Sequence, residues 1–255
     1  MNKNTQHFLD LLLLMTEREF RVSYKNTMFG FLWLVVNPVL QMLVVGFVFT
    51  YFVKEPIKHY YYYLFIGLLV WSFFSLCLIK CTPSIVFARS LIKKAAFPRA
   101  VVPLSIIFSN LFRFTAAFAI FLIPLFFLGT LTFMSIVYIL AALLLLIVFT
   151  IGICFLTSSL NVRFRDINFF VQALLILWFY ASPIVYTLSQ MPDNLLWLWN
   201  FNPLVSILQL FQRGLLGNPI PNLSVLAYNV TIIIIVSAIG LFVFQKQSDT
   251  FDDWL

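Results

Sequence analysis

The sequence predicts an all-α integral membrane protein with six transmembrane helices, an N-terminal amphipathic interfacial helix, and short external re-entrant helices before the last span. Three observations carry that expectation. Of 255 residues, 62% are hydrophobic and 10% are charged, whereas a soluble domain carries about 25% charged residues. Water would therefore face apolar surface that no packing could hide. Six apolar runs are each long enough to cross about 30 Å of hydrocarbon at about 1.5 Å per residue. These runs are continuously apolar rather than alternating, which favours helices over a barrel. No polar stretch is long enough for a separate soluble domain, so residues 1–255 read as one transmembrane unit.

Residues 1–30 open the chain, and their segment 7–28 is too charged to span. As a helix it places Asp10, Glu17, Arg21 and Lys25 on one face, with Glu17 and Arg21 at a favourable i,i+4 spacing. Leu9, Leu12, Leu13 and Phe20 point away from that face, with Glu19 as the exception. Such a helix lies in the membrane interface. It is either a plain topogenic anchor or a gate that meets lipid head groups through Arg18, Arg21 and Lys25. Those three cations follow the first apolar patch with no small-residue cleavage site, so no cleavable signal is expected.

The spans fall near 31–53, 62–80, 104–128, 134–160, 168–188 and 224–244, so that 31–188 holds spans one to five. An even number puts both termini on one side. That side carries twelve cations: Lys3, Arg18, Arg21, Lys25, Lys80, Arg89, Lys93, Lys94, Arg99, Arg163, Arg165 and Lys246. The other carries three, Lys54, Lys58 and Arg213, while Arg113 falls inside a span. By the positive-inside rule the termini, the loop 81–103 and the tail 245–255 are cytoplasmic, and 189–223 is external. The net charge of +7 is then mostly topology and needs no nucleic acid.

Several chemistries are excluded. None of the eight glycines precedes a lysine, so there is no phosphate loop and no ATP hydrolysis by that route. No Asp or Glu lies within the six spans, and His7 and His59 lie outside them, which removes the usual proton relay. No metal-ligand cluster and no Ser/His/Asp constellation is present. Cys77 and Cys81 are four apart on one helix, too divergent for a relaxed disulfide; with Cys154 they read as buried small hydrophobes. The chain is expected to bind no cofactor and catalyse nothing, so any uphill transport draws its energy from a partner.

Two segments outside the spans stand out. KCTPSIVFARSLIKKAAFPRAVVP, residues 80–103, is bracketed by Pro83 and Pro103, with Pro98 ending a helix expected over Ser84–Phe97. Its basic residues either serve orientation alone or, with Phe97 beside them, enter a partner's cleft. Between Thr187 and Leu223, Asn202 can cap a helix that has Pro203 at its first position, runs to Leu216 and is stopped by Gly217. About fourteen residues cannot cross a bilayer, so this is a surface or re-entrant helix, with a mirror piece through Leu195–Trp199.

GFLWLVVNPVL following YKNT, then LIKKAAFPRAVVPLS, NVRFRDINFF, ASPIVY and NPLVSILQLFQRGLLG occur in this order. Together they resemble the membrane subunit of type-2 ABC exporters of lipid-linked polysaccharides, the O-antigen, capsule and teichoic-acid permeases, over nearly the whole chain. The resemblance implies a homodimeric permease in the bacterial plasma (inner) membrane, working with two copies of an ATPase subunit that holds ATP and Mg. It assigns the coupling contact to Ser90, Leu91, Lys93, Lys94, Phe97, Pro98 and Arg99. It also makes the helical pair before the last span an external gate and places Arg163 and Arg165 near the cytoplasmic entrance. The residues alone leave open a self-contained channel or, less favoured, a glycan-modifying enzyme.

Arg113 sits about ten residues into span three, where an unsupported charge costs at least about 2.5 kcal/mol. It either snorkels to the cytoplasmic side or meets a pyrophosphate or sugar acid on the transport path. Tyr60, Tyr61, Tyr62 and Tyr63 form an interfacial aromatic belt or a sugar-stacking mouth. Trp71, Phe73 and Phe74 either extend such a mouth into the span or, the favoured reading, pack in the core.

Overall fold

The structure, a computed structural model, describes residues 3–25, 30–52, 59–94, 98–127, 131–191, 194 and 196–254. No strand occurs among the described residues. The helices run α1 (Lys3–Tyr24), α2 (Trp33–Phe52), α3 (Tyr60–Cys81), α4 (Ser84–Phe87), α5 (Arg89–Lys94), α6 (Val101–Phe127), α7 (Phe133–Arg163), α8 (Asp166–Tyr180), α9 (Leu196–Asn200), α10 (Pro203–Leu216), α11 (Leu223–Ser248) and α12 (Phe251–Trp254).

Four of them, α3, α6, α7 and α11, are long and apolar enough to cross a membrane, whereas the stretch Val35–Phe49 of α2 and the whole of α8 are shorter. The clearest departure from the expected spans is α8. A span over 168–188 becomes a helix of 15 residues that stops at Tyr180, reaching about 22 Å. Pro183 explains the stop: it has no N–H to donate, its ring clashes with the preceding turn, and it drives Ser182 away from helical angles. Residues 181–186 continue as turn and bend.

The single helix expected over Ser84–Phe97 is two short ones, α4 and α5, broken at Ala88. Alanine is the strongest helix former, so the break reflects packing rather than local preference. Helix α10 starts and stops where its signals lie. The Asn202 side chain accepts the Leu204 N–H, Pro203 occupies the first turn, and Gly217 closes the helix at φ 71°.

Helix α3 is the centre of the bundle, with every residue from Tyr63 to Val70 buried. Its neighbours α6, α7, α8 and α10 bury Phe114, Phe149, Val171 and Phe211 in the same core. Helices α7 and α11 cross at backbone contact distance. A methyl group on Gly240 would strike the Gly152 carbonyl, and one on Gly152 would strike the Ser237 backbone. The Ser237 hydroxyl donates to the Val148 carbonyl at 3.0 Å at the same crossing, a small-residue, close-approach packing suited to lipid. Helix α1 lies along α6, with Leu12 buried and Phe20 edge-on to Phe112 at 5.0 Å. Cys77, Cys81 and Cys154 are free and buried.

Candidate functional site

A cavity of about 450 Å³ opens beside α3, between α2, α6 and α8. Its walls are mostly apolar, but three helices each contribute a polar pair at helical spacing: Asn37 and Gln41 from α2, Ser72 and Ser75 from α3, and Asn110 and Arg113 from α6. Residues three or four apart share a helix face, so each pair faces the same space. Gln41 Nε2 donates to Asn37 Oδ1 at 3.2 Å, and Asn110 Nδ2 donates to the Ile106 carbonyl at 3.0 Å. Asn110 is 2% exposed, and its Oδ1 has no hydrogen-bond partner. Arg113 is half-buried in the wall. A guanidinium, three carboxamides and two hydroxyls around an apolar cavity can bind a polar or anionic group where hydrocarbon would otherwise exclude one.

The aromatic candidates separate around this cavity. Trp71 and Phe73 line it, with Trp71 edge-on to Phe179 at 5.4 Å and Phe73 edge-on to Phe114 at 5.7 Å. Phe74 faces elsewhere; it is fully buried, stacked on Phe149 at 5.6 Å and set against Trp178 at 5.1 Å. The four tyrosines occupy four environments. Tyr61 is exposed beside Gly46, and Tyr62 leans on Phe121 at 5.7 Å. Tyr60 donates to the Val185 carbonyl at 3.0 Å, and the buried Tyr63 hydroxyl reaches the Pro183 and Tyr186 carbonyls at 2.9 and 2.7 Å. These two hydroxyls therefore satisfy the non-helical backbone after α8, whose carbonyls have no helical partner.

Asn202 completes that support. Its Oδ1 accepts from Trp178 Nε1 at 2.9 Å and from the Leu204 N–H at 3.1 Å. Its Nδ2 donates to the Ala181 carbonyl at 3.0 Å and to Ser182 Oγ at 2.9 Å. One carboxamide thus ties the end of α8 to the start of α10. Gly67 lets the segment approach α3, since a methyl group there would sit 3.2 Å from the Ile184 carbonyl.

A second cleft, of about 410 Å³, lies at the other end of α3, where α1 meets α4, α5 and α6. It brings Arg18 to the same space as Ser90 and Leu91. Glu19, the misfit on the apolar face of α1, receives the Lys80 ammonium at 3.0 Å, and Lys80 also reaches Ser23 Oγ at 3.4 Å. Arg21 pairs with Glu17 on the outer face of α1, and Lys25 is exposed. Lys93 and Pro98 are exposed, Arg99 is half-buried, and Lys94 closes α5. Phe97 lies outside the described residues. Arg163 and Arg165 are both exposed; the Arg163 guanidinium lies 5.3 Å from the Phe164 ring and 5.2 Å from that of Trp254.

Asn37, Gln41, Ser72, Ser75 and Asn110 did not stand out in the sequence, although a signal was present. Each belongs to a polar pair at i,i+3 or i,i+4 inside an otherwise apolar run, the pattern of a wet face on a membrane helix.

Comparison with known proteins agrees with this architecture. Residues 10–216 match the ABC-2 type transporter family. Two proteins of Klebsiella pneumoniae, each named O-antigen export system permease protein RfbA, are 31% and 30% identical over 100% of this chain and 98% of their own length. A Myxococcus xanthus protein of the same name is 28% identical over 94% of both chains. The relatives are permeases, transport components rather than catalysts. The chain belongs to the ABC-2 type transporter membrane family, as a multi-pass membrane protein.

Proposed function

We propose that the chain is the transmembrane subunit of an ATP-driven exporter that moves a lipid-linked polysaccharide of the O-antigen class out of the bacterial cytoplasm. It acts as a homodimer with two copies of an ABC ATPase, which holds the ATP and Mg, and this chain binds no cofactor. The whole-length likeness to O-antigen export permeases carries this reading. The polar cavity beside α3 is consistent with it, since a glycan or its phosphate anchor needs hydrogen-bonding groups at membrane depth.

In this reading α2 and α8 complete six spans, with the non-helical segment 181–187 finishing the fifth. Both termini face the cytoplasm at the plasma membrane, as the twelve-to-three distribution of cations supports. Helix α1 lies in the cytoplasmic interface, and α9 with α10 forms the external gate. Arg113 with Asn110, Trp71 and Phe73 forms the substrate path, and Tyr61 and Tyr62 stand near its exit. Phe74, Tyr60 and Tyr63 support that wall from behind. Ser90, Leu91, Lys93, Lys94, Phe97, Pro98 and Arg99 dock on the ATPase. Arg18, Arg21, Lys25, Arg163 and Arg165 line the cytoplasmic approach for the anionic head group.

The test is complementation of a deletion strain, with surface polysaccharide read by gel and lipid-linked sugar by extraction. Wild type should restore surface glycan, and Arg113→Ala should leave lipid-linked glycan inside. Purification of a transport-competent chain without an ATPase would instead make it a self-contained channel.

A further inference from the structure

We infer that the C-terminal helix α12 is a brace for the ATPase-coupling helices and that Phe251 is its positioning residue. This inference rests on the coupling reading above. Composition makes residues 245–255 a plain tail, yet the chain turns back after α11. Thr250 donates to the Gln247 carbonyl through its N–H at 3.0 Å and through Oγ1 at 2.9 Å. That turn drops Phe251 to 1% exposure, edge-on to Phe244 at 5.6 Å, while Phe244 stacks on Phe155 at 4.6 Å.

These rings belong to a hydrophobic core distinct from the one around α3. It contains Ile85 of α4, Ile92 of α5, Val102 of α6, Phe155 and Val162 of α7, Phe244 of α11 and Phe251 of α12. Helices of four and six residues cannot hold themselves. The positions of α4 and α5 therefore depend on burying Ile85 and Ile92 in this core. Phe251 is the contribution of the tail to it, and Trp254 adds a second fastening over the Arg163 guanidinium at 5.2 Å. A coupling helix transmits force only if its base is rigid, and this core is that base.

The experiment uses the full chain co-expressed with its ATPase, carrying Phe251→Ala, Phe251→Leu or a stop after Thr250, with Lys93→Glu as reference. Hydrogen exchange and surface glycan are both read. Phe251→Ala and the truncation should raise exchange over residues 84–94 about tenfold and lower export about tenfold, while the α3 core stays protected. Phe251→Leu should restore both. Wild-type exchange over 84–94 in Phe251→Ala, wild-type export by the truncated chain, or a rise in exchange spread over the whole molecule would overturn the brace. If Lys93→Glu blocks export while the truncation does not, only the brace fails. If Lys93→Glu also exports normally, the coupling reading itself fails.

Discussion

The Tyr63 hydroxyl lies 2.9 Å from the Pro183 carbonyl oxygen and 2.7 Å from that of Tyr186, so one proton is shared by two acceptors of a segment that has left the helix. A broken helix at membrane depth survives only where its backbone is satisfied by protein. Tyr63→Phe keeps the ring and strands both carbonyls, which costs about 1–3 kcal/mol. Thermal unfolding in nanodiscs should show that loss, whereas Tyr61→Phe, at an exposed ring, should unfold like wild type.

Asn202 carries the same segment from the other side. Asn202→Ala removes a helix cap, the Trp178 acceptor and two donated bonds, and the cap alone is worth about 1 kcal/mol. Asn202→Asp keeps the acceptor side and loses the donations, so its melting temperature should fall between wild type and alanine. Equal melting of the two variants would show that the donations to Ala181 and Ser182 contribute nothing.

The crossing of α7 and α11 tolerates no added atom. Gly240→Ala places a methyl against the Gly152 carbonyl, and the helices must separate at a cost of about 1–3 kcal/mol. Reduced yield of folded protein and a lower melting temperature are expected. Gly30→Ala, where nothing lies nearby, meets only the strain of its φ of 49°, about 1–2 kcal/mol.

For Arg113, a lost charge-assisted bond to an anionic substrate group is worth about 1.5–3 kcal/mol, or roughly tenfold to a hundredfold in export rate. Arg113→Ala should lose that much with normal membrane insertion, and Arg113→Lys should retain part of it. The ion pair between Glu19 and Lys80 should matter little: both side chains are 31% exposed, and such pairs contribute about 0–1 kcal/mol. Glu19→Gln should therefore leave melting nearly unchanged.

How far the sequence reaches differs between elements. Helix α10 could be read residue by residue, because Asn202, Pro203 and Gly217 act through local backbone geometry. The four tyrosines could not be told apart, because which carbonyl a hydroxyl reaches depends on where residue 183 lies, 120 positions away. Glu19 looked like an error on an apolar face until Lys80, from another helix, met it. The tail read only as a cytoplasmic end, because four residues carry too little periodicity to show a buried face.

By itself, the sequence determined an apolar helical chain that needs a bilayer, its charge asymmetry, the absence of a phosphate loop, and the caps that start and stop α10. These follow from composition and from interactions within a turn or two. Only the tertiary structure decided that the helix expected over 168–188 stops at Tyr180 and continues as non-helical chain held by Tyr60, Tyr63 and Asn202. It also gathered three polar pairs on three helices around one cavity, and it seated Phe251 in the small core that buries Ile85 of α4 and Ile92 of α5. Each of these joins residues far apart in the chain, and packing alone selects which of the possible partners meet.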